Sequence, residues 1–297
     1  MKMTLEVTKL TKAYGKNVVL DRLSLTLEGG HIHALVGENG AGKTTLLNTL
    51  AGIYRPDSGR VLLDGKPIFD NAQAKARIGF VTAGNTYPVG TSVAELAKQH
   101  ACIYPKFDMN KWETLMERAK LTPDKSIRSY SRGEQMLISI LLNLSICPDV
   151  LLLDEPFAGL DPVLRKIVFS LLVEESAEHG TTMLISSHDL SELERLCETV
   201  FFLKNGKIER GGSIDELKAE YKRIQAIFAG DAPDISEWRG VKAVERAGRV
   251  LRFVANELTD ELREKLEAAG AIAVEEIDLS LEEMFLHMNQ SRWEGFR

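Results

Sequence analysis

One segment near the start of the chain constrains its fold more than any other. Residues 37–44 have the sequence Gly-Glu-Asn-Gly-Ala-Gly-Lys-Thr, which fits the pattern G-x-x-x-x-G-K-[ST]. The segment follows an apolar run at 31–36 and precedes a run with helical spacing at 44–53, so it should connect a strand to a helix. Glycines there let successive backbone N–H groups converge on phosphate oxygens at the positive end of the helix. The segment therefore predicts a loop that binds the phosphates of a nucleotide.

Two side chains of this loop have distinct chemical tasks. Lys43 supplies a mobile positive charge for the β- and γ-phosphates, and the hydroxyl of Thr44 can bind Mg²⁺. The glycine spacing differs from the G-x-G-x-x-G of dinucleotide-binding folds, which would leave the lysine unexplained. A chance glycine turn is the alternative, and the strand–loop–helix context argues against it. The residues expected to contact the nucleotide here are Gly37, Glu38, Asn39, Gly40, Ala41, Gly42, Lys43, Thr44 and Thr45.

The alternation of apolar strands and helices predicts an α/β fold. Apolar runs at 150–153 and 183–186, separated by a helix, are typical of a mostly parallel sheet covered on both faces. Helical spacing between about 86 and 146 predicts a helical subdomain inserted into a P-loop NTPase core. Strand-like and helical segments near the C-terminus predict a small α+β domain. The expected domains are residues 1–220 and 221–297.

Charge and cysteine content restrict the possible partners and the compartment. The 297 residues carry a formal net charge of −6, which gives no electrostatic reason to expect a nucleic-acid partner. The three cysteines lie far apart, as expected of reduced thiols in a cytoplasmic protein. The N-terminus lacks the apolar region of a signal peptide, and the apolar stretch Met136–Ile146 is shorter than the roughly 20 residues that span a bilayer. We expect a chain that does not cross a membrane.

A phosphate-binding loop alone leaves kinases, GTPases and other nucleotide enzymes open, and a second motif narrows the choice. Asp154 and Glu155 end the apolar run at 150–153 and precede Pro156. In isolation they could be acidic residues at the start of a helix. The segment resembles the Walker B motif of ABC ATPases. That resemblance implies that Asp154 holds Mg²⁺ through water and that Glu155 polarises the attacking water as general base.

A third motif resembles the LSGGQ signature of the same family. The segment 130–135 has the sequence Tyr-Ser-Arg-Gly-Glu-Gln and lies some twenty residues before the Walker B-like strand. Arg132 replaces the usual first glycine and Glu134 the usual glutamine. The resemblance implies that Ser131 and the backbone of Gly133 contact the ATP held by the other subunit of a dimer.

The remaining motifs of the family follow in order. Residues 158–161 resemble the D-loop, which contacts the partner subunit, and residues 187–189 match the segment of the switch histidine. His188 is thereby implied to contact the γ-phosphate and to position the water together with Glu155. Tyr14 stands where the family places an aromatic ring that stacks on adenine. A tyrosine at the core or rim of the sheet is the alternative.

Further features are similar to the ATPases of ABC-2-type exporters. They are the segment Tyr-Pro-Lys-Phe-Asp at 104–108, the Arg-Gly-Glu signature variant and the segment Leu-Ser-Leu-Glu-Glu-Met-Phe-Leu at 279–286. Within these exporters the chain is most similar to the bacitracin-export and YtrB-like branch. One departure is Ala83, where the family usually has a glutamine. Either Asn85 substitutes for it, or the site relies on Glu155 and His188.

The resemblance covers residues 1 to about 220 and implies the function. It implies an ATPase with catalytic residues Lys43, Glu155 and His188, which uses ATP and Mg²⁺ held by Thr44 and Asp154. Two subunits, identical or different, would enclose two ATP molecules and power an ABC-2-type membrane permease that exports a drug, peptide or other small molecule. The subunit would be cytoplasmic and peripheral on the inner face of the cell membrane.

The regions outside the catalytic motifs have expected tasks as well. The C-terminal domain is expected to regulate the ATPase or help it dimerise. The stretch 84–107 corresponds to the family's permease-docking region, and Tyr87 and Val89 are expected at its surface. The alternative is an ABC-type ATPase with a regulatory or non-transport role. An ABC protein that acts on DNA or ribosomes typically has coiled-coil insertions or two cassettes, and neither pattern occurs in this sequence.

Overall fold

The computed structural model describes residues 4–82, 84 and 87–289 of the chain. The chain divides into two compact units, Met1–Gly211 and Gly212–Arg297. Each unit has its own apolar core. Within the described ranges, none of the helices combines the length and the apolar character that crossing a bilayer requires.

The first unit is built from strands and helices in alternation. Its strands are β1 (Thr4–Tyr14), β2 (Asn17–Glu28), β3 (Ile32–Val36), β4 (Ser58–Leu63), β5 (Lys66–Pro67), β6 (Ile78–Thr82), β7 (Val150–Asp154), β8 (Thr182–Ser186), β9 (Thr199–Lys204) and β10 (Lys207–Ser213). Its helices are α1 (Lys43–Leu50), α2 (Ala72–Lys75), α3 (Val93–Ile103), α4 (Met109–Arg118), α5 (Arg132–Ser145), α6 (Pro162–His179) and α7 (Leu190–Leu196).

The central sheet has six strands in the order β10-β9-β3-β8-β7-β6. Strands β9, β3, β8, β7 and β6 are joined by parallel pairings. Every residue of β3, β7 and β8 is buried, as expected when both faces of a parallel sheet are covered. The predicted mostly parallel sheet is therefore confirmed. The register pairs Leu35 and Asp154 with the same residue, Ser186, so the carboxyl ends of β3, β8 and β7 lie level with one another.

A smaller antiparallel sheet, β2-β1-β4-β5, accompanies the central one. Leucines of β1 and β2 pack with those of α1 and the central strands in one apolar core. Among its fully buried members are Leu35, Leu46, Leu47, Leu152 and Leu184. Because α1 belongs to this core, the loop before it is fixed to the sheet at one end and to a buried helix at the other.

Helices α3, α4 and α5 confirm the predicted helical segment between strands of the core. In α5 eleven residues are buried, so this helix is enclosed on most sides. It packs against α4 and against β6, where the Asn143 side-chain oxygen accepts a hydrogen bond from the backbone N–H of Phe80 at 2.9 Å. Helix α6 begins at an Asp161 cap that accepts hydrogen bonds from the N–H groups of Val163 and Leu164.

The second unit is a four-stranded antiparallel sheet with helices. Its elements are α8 (Ile214–Ala219), β11 (Lys222–Phe228), β12 (Val241–Ala247), β13 (Val250–Ala255), α9 (Asp260–Ala268), β14 (Ala271–Ile277) and α10 (Leu281–Asn289). The sheet order is β12-β13-β11-β14, and Leu266 of α9 joins its core. The predicted small α+β domain is confirmed. A functional division at residue 220 stays a prediction.

Candidate active site

The glycine-rich loop surrounds the ammonium group of Lys43. The Nζ atom of Lys43 donates to the carbonyl oxygens of Gly37 at 2.7 Å and Glu38 at 3.4 Å. Gly42, the cap of α1, has a φ of 109°, and a Cβ there would lie 3.0 Å from a methyl carbon of Leu20. Only glycine therefore fits the position that turns the chain into the helix. The sequence motif thus produces a loop that closes around its own lysine.

Burial acts on the charge of this lysine. The residue is 7% exposed, and removal from water lowers the pKa of Lys43. The nearby carboxylates of Glu155 and Asp154 raise the pKa again by a smaller amount. The ammonium group is thus held where an anion with several negative oxygens would be its natural counter-charge.

The other loop residues differ in accessibility. Asn39, Gly40 and Thr44 are exposed, whereas Glu38, Ala41, Gly42 and Thr45 are partly buried and Gly37 is buried. The backbone N–H of Ala41 donates to the carbonyl of Glu38 at 3.1 Å, which tightens the loop. The assignment of these residues to nucleotide binding stays a prediction.

Asp154 at the end of β7 is held by two hydroxyl groups. The Thr44 hydroxyl donates to Oδ2 of Asp154 at 2.8 Å, and the Ser186 hydroxyl donates to Oδ1 at 2.6 Å. Asp154 is only 6% exposed, and a buried carboxylate requires hydrogen-bond donors, which these two hydroxyl groups supply. A carboxylate and a hydroxyl at this distance are the hard oxygen donors that Mg²⁺ prefers. The residues present therefore fit the metal that the sequence motif implies.

Glu155 and His188 form a second pair at the same edge of the sheet. The Nδ1 atom of His188 lies 2.8 Å from Oε2 of Glu155, and the backbone N–H of His188 donates to the same oxygen at 3.3 Å. Glu155 has a φ of 52°, in the left-handed region, and its own N–H contacts both the carbonyl and the hydroxyl of Ser186. The 71% exposed side chain of His188 leaves this pair accessible to solvent.

Ser186 is a residue of this site that sequence reasoning missed. Its hydroxyl donates to Asp154 and accepts from the N–H of Glu155, so one side chain orients both carboxylate positions. The sequence places it only as the last residue of a predicted strand. Its position just before the Ser187–Asp189 segment is the signal that could have identified it.

The predicted signature lies at the start of a helix. Ser131 is the N-cap of α5: its hydroxyl accepts from the N–H of Glu134 at 3.2 Å, and its own N–H donates to the Glu134 carboxylate at 2.8 Å. Gly133 is buried, and a Cβ there would lie 3.0 Å from a methyl carbon of Leu164. Ser131 and Arg132 are exposed. The N-terminus of helix α5 is thus polar and exposed to solvent.

Two further predictions, on Tyr14 and on Ala83 with Asn85, stay predictions. Tyr14 is 49% exposed, and its ring meets that of Tyr54 edge to face with 6.2 Å between centroids. Such a ring is accessible to a stacking partner, and its contact with adenine stays a prediction. Ala83 and Asn85 lie outside the described residues.

Comparison with known proteins, like the geometry of the loop around Lys43, indicates a nucleotide-binding protein. A family model described as "ABC transporter" matches residues 20–158. The chain is 34% identical to the "ABC transporter ATP-binding protein YtrB" of Bacillus subtilis, a match that covers 95% of this chain and 97% of YtrB. It is 31% identical to the "Daunorubicin resistance ATP-binding protein DrrA3" of Streptomyces coeruleorubidus, with 93% of each chain covered.

Another relative has a name that specifies import. The "Probable sulfate/thiosulfate import ATP-binding protein CysA" of Chlorella vulgaris is 35% identical, over 72% of this chain and 93% of CysA. Among solved structures, one described as "Structure of ATP binding subunit of ABC transporter" matches with a TM-score of 0.67 and 25% identity. It covers 72% of this chain and 91% of that structure.

Proposed function

The chain belongs to the ABC transporter family as an ATP-binding subunit with ATPase activity, and from this premise we propose that it powers a membrane permease of the ABC-2 exporter type. The observation that carries the proposed hydrolysis is the Glu155–His188 pair beside the hydroxyl-bound Asp154. This arrangement combines a base, a group that orients it and a set of metal donors at one edge of the sheet.

Each residue has a task in the proposed hydrolysis. Lys43 neutralises negative charge on the β- and γ-phosphates, and the loop N–H groups hold them in place. Glu155 takes a proton from the attacking water, and His188 fixes the orientation of its carboxylate. When bound, Mg²⁺ supplies electrostatic stabilisation of the phosphate oxygens. Thr44 and Asp154 are the residues that would hold it.

A dimer completes the proposed site. The exposed Ser131 at the N-terminus of α5 has the position and polarity to approach a phosphate held by a second subunit. Two subunits would then close on two ATP molecules, and hydrolysis of the ATP would let the subunits separate again. Such a cycle can pass mechanical work to a permease at the inner face of the membrane.

Export is the proposed direction, and import is its competitor. Support for export comes from the features at 104–108 and 279–286, from the signature variant and from the similarity to the daunorubicin resistance protein. The transported compound would be a drug, a peptide or another small molecule. The permease that copurifies with the chain from detergent-solubilised membranes should be identified by mass spectrometry. An ABC-2-type membrane protein is expected, and a permease of an importer would contradict the proposal.

The hydrolytic part of the proposal is tested by Glu155→Gln. Loss of the general base should lower kcat by about 10²–10⁴-fold, while MgATP binding remains and an ATP-dependent dimer accumulates on a sizing column. Glu178→Gln on the exposed surface of α6 is the matched control and should hydrolyse ATP normally. Hydrolysis by Glu155→Gln at the rate of the unmodified protein would show that the general base is another residue.

The docking part of the proposal concerns the loop before α3. Val89 is 82% exposed, and Tyr87 is partly buried with its carbonyl accepting a hydrogen bond from Nε of Arg128 at 2.9 Å. We expect Tyr87→Ala and Val89→Ala to leave MgATP binding intact and to reduce recovery of the permease. Anchors of this kind often contribute about 2 kcal/mol or more. Val173→Ala, at a 41% exposed position of α6 in the first unit, is the control. Unchanged permease recovery in both loop variants would exclude this loop.

A further inference from the structure

Arg165 connects two segments of the first unit that are far apart in sequence. It lies in the first turn of α6, where its N–H donates to the carbonyl of Asp161 at 3.0 Å. Its Nη1 atom lies 2.9 Å from Oε1 of Glu192 and 3.5 Å from Oδ2 of Asp189. The arginine therefore joins the start of α6 to the start of α7.

The contacted end of α7 is continuous with the loop that carries His188. Asp189 follows His188 directly and caps α7, accepting from the hydroxyl of Ser191 at 2.7 Å and from the N–H of Glu192 at 3.4 Å. The N–H of Asp189 in turn donates to the Ser187 hydroxyl at 3.0 Å. A displacement of Asp189 would therefore turn the adjoining peptide of His188, whose N–H and ring both contact Glu155.

The electrostatics of this bridge indicate a task beyond packing. Burial and the neighbouring Asp189 raise the pKa of Glu192, whose side chain is 12% exposed, while Arg165 acts in the opposite sense. Among the described residues, two buried side-chain atoms lack a hydrogen-bond partner, Nε of Arg165 and Oε2 of Glu192. Desolvating polar atoms without compensation costs free energy, and the 42% exposed side chain of Arg165 gains little stability from an ion pair that water screens. The bridge therefore contributes fixed geometry more than stability.

We propose that Arg165 is a positioning residue that holds the Ser187–Asp189 loop so that His188 stays oriented on Glu155. The inference rests on the proposed function, because it requires the Glu155–His188 pair to act in hydrolysis. Arg165 itself touches neither carboxylate of the site in the described contacts. Its effect on catalysis passes through Asp189 and the backbone of His188.

The test is a double-mutant cycle on the full chain, with steady-state hydrolysis of MgATP as the readout. Arg165→Met should lower kcat about tenfold and leave KM for MgATP nearly unchanged, because a misplaced orienting group affects the chemical step more than binding. In a His188→Ala background the same substitution should cause no further loss. Arg165→Lys, which keeps the charge, should recover part of the lost kcat.

Arg195→Met is the matched control. Arg195 lies on α7 and also contacts α6, with its guanidinium 5.5 Å from the ring centroid of Phe169. It makes no contact with the His188 loop in the described structure. Its substitution should leave kcat unchanged. If Arg165→Met fails to fold, Glu192→Gln removes the other end of the bridge and should lower kcat in the same direction, again without further loss in His188→Ala.

Three results would overturn the inference, and they differ in what else they affect. Losses from Arg165→Met and His188→Ala that multiply, or full activity of Arg165→Met, would overturn the positioning role alone. Full activity of His188→Ala would overturn the proposed role of His188 in hydrolysis and the inference with it.

Discussion

At the scale of single residues, hydroxyl groups organise the candidate site. Asp154 is bound by Thr44 and Ser186, and Ser186 also contacts the backbone N–H of Glu155. The two carboxylates therefore do not depend on the strand backbone alone for their orientation. Ser186 connects the metal-donor pair to the base, which gives this side chain a larger influence than its place at a strand end suggests.

The first prediction follows for Ser186→Ala. Removing the hydroxyl leaves the buried Asp154 with one donor fewer, so the free energy of unfolding should fall by about 1–3 kcal/mol in urea denaturation. The Mg²⁺ concentration needed for half-maximal hydrolysis should rise. Ser145→Ala is the control, because this fully buried hydroxyl donates to the carbonyl of Leu141 in its own helix. A normal Mg²⁺ requirement in Ser186→Ala would contradict the connecting role.

The second prediction concerns the charge of Lys43. Because burial lowers the pKa of Lys43 below its ordinary value of 10.5, the unfolded chain holds this proton more tightly than the folded one. The buried charge of Lys43 therefore destabilises the folded chain. This destabilisation is fully present below the pKa that Lys43 has in the folded chain, and it disappears as pH rises through that pKa towards 10.5. Without nucleotide, Lys43→Met should therefore raise stability at pH 7, by about 1 kcal/mol.

The same variant should no longer be stabilised by nucleotide. Addition of MgATP raises the Tm of a protein that binds it, and Lys43→Met should lose that increase. Differential scanning fluorimetry with and without MgATP measures both effects, with the exposed Lys66→Met as control. A variant that is less stable without nucleotide and still stabilised by MgATP would contradict this account.

The sequence predicts the members of the site better than their mutual arrangement. Lys43, Thr44, Asp154 and Glu155 belong to patterns in which spacing and residue type both carry information. Ser186 and Arg165 belong to no such pattern, since a serine at a strand end and an arginine on a helix are common. Their importance comes from contacts across 32 and 24 residues of sequence, which only the folded chain displays.

At the scale of single elements, the start of α5 explains one departure from the family signature. Ser131 and Glu134 form a capping box in which each side chain bonds the backbone N–H of the other. Glutamate and glutamine serve equally at that position of a capping box. Replacement of the usual glutamine by Glu134 therefore preserves the helix terminus. Nothing in the structure explains the replacement of glycine by Arg132.

The third prediction is that Ser131→Ala has two separable effects. Loss of the cap should lower stability by about 1 kcal/mol. Loss of the hydroxyl should lower hydrolysis while leaving MgATP binding by the single subunit intact. Ser280→Ala removes an equivalent capping box, formed with Glu283 in the second unit, and should not affect hydrolysis. Equal hydrolysis by the two variants would show that Ser131 acts only as a cap.

The elements themselves were predictable where periodicity is strong. The buried runs of β3, β7 and β8 and the helical spacing of α5 identify those elements directly. No element is predicted between 190 and 219, although the stretch forms α7, β9, β10 and α8 and its apolar run at 200–203 is itself a strand signal. Strand β10 alternates exposed and partly buried positions without a continuous apolar run, and α7 has only seven residues. Strand β9 is placed by its pairing with β3, β10 lies beside β9, and α7 packs against β3.

At the scale of the whole molecule, the described contacts of the candidate site lie within the first unit. Lys43, Asp154, Glu155, Ser186 and His188 all precede residue 211, the end of that unit. The second unit has its own core, centred on side chains such as Phe228 and Phe253. This separation favours the prediction that the C-terminal domain regulates or dimerises without chemistry of its own.

The fourth prediction is that a chain ending at residue 213 still binds MgATP. This truncation keeps β10 whole and removes the elements from α8 onward. Its nucleotide affinity, measured by equilibrium dialysis, should remain close to that of the full chain, while its dimerisation or its response to the permease changes. Absence of MgATP binding in a truncated chain that keeps its helical circular dichroism would assign a nucleotide-binding task to the second unit.

The backbone of Glu155 has a consequence for how this protein can be improved. An L-residue with a side chain in the left-handed region costs roughly 1–2 kcal/mol, and glycine or asparagine would relieve that strain. Glutamate is kept there at the expense of folding stability. Selection for heat resistance alone would therefore favour replacements at this position that end turnover. Directed evolution of a sturdier variant must retain a screen for activity, because here robustness and chemistry demand different amino acids.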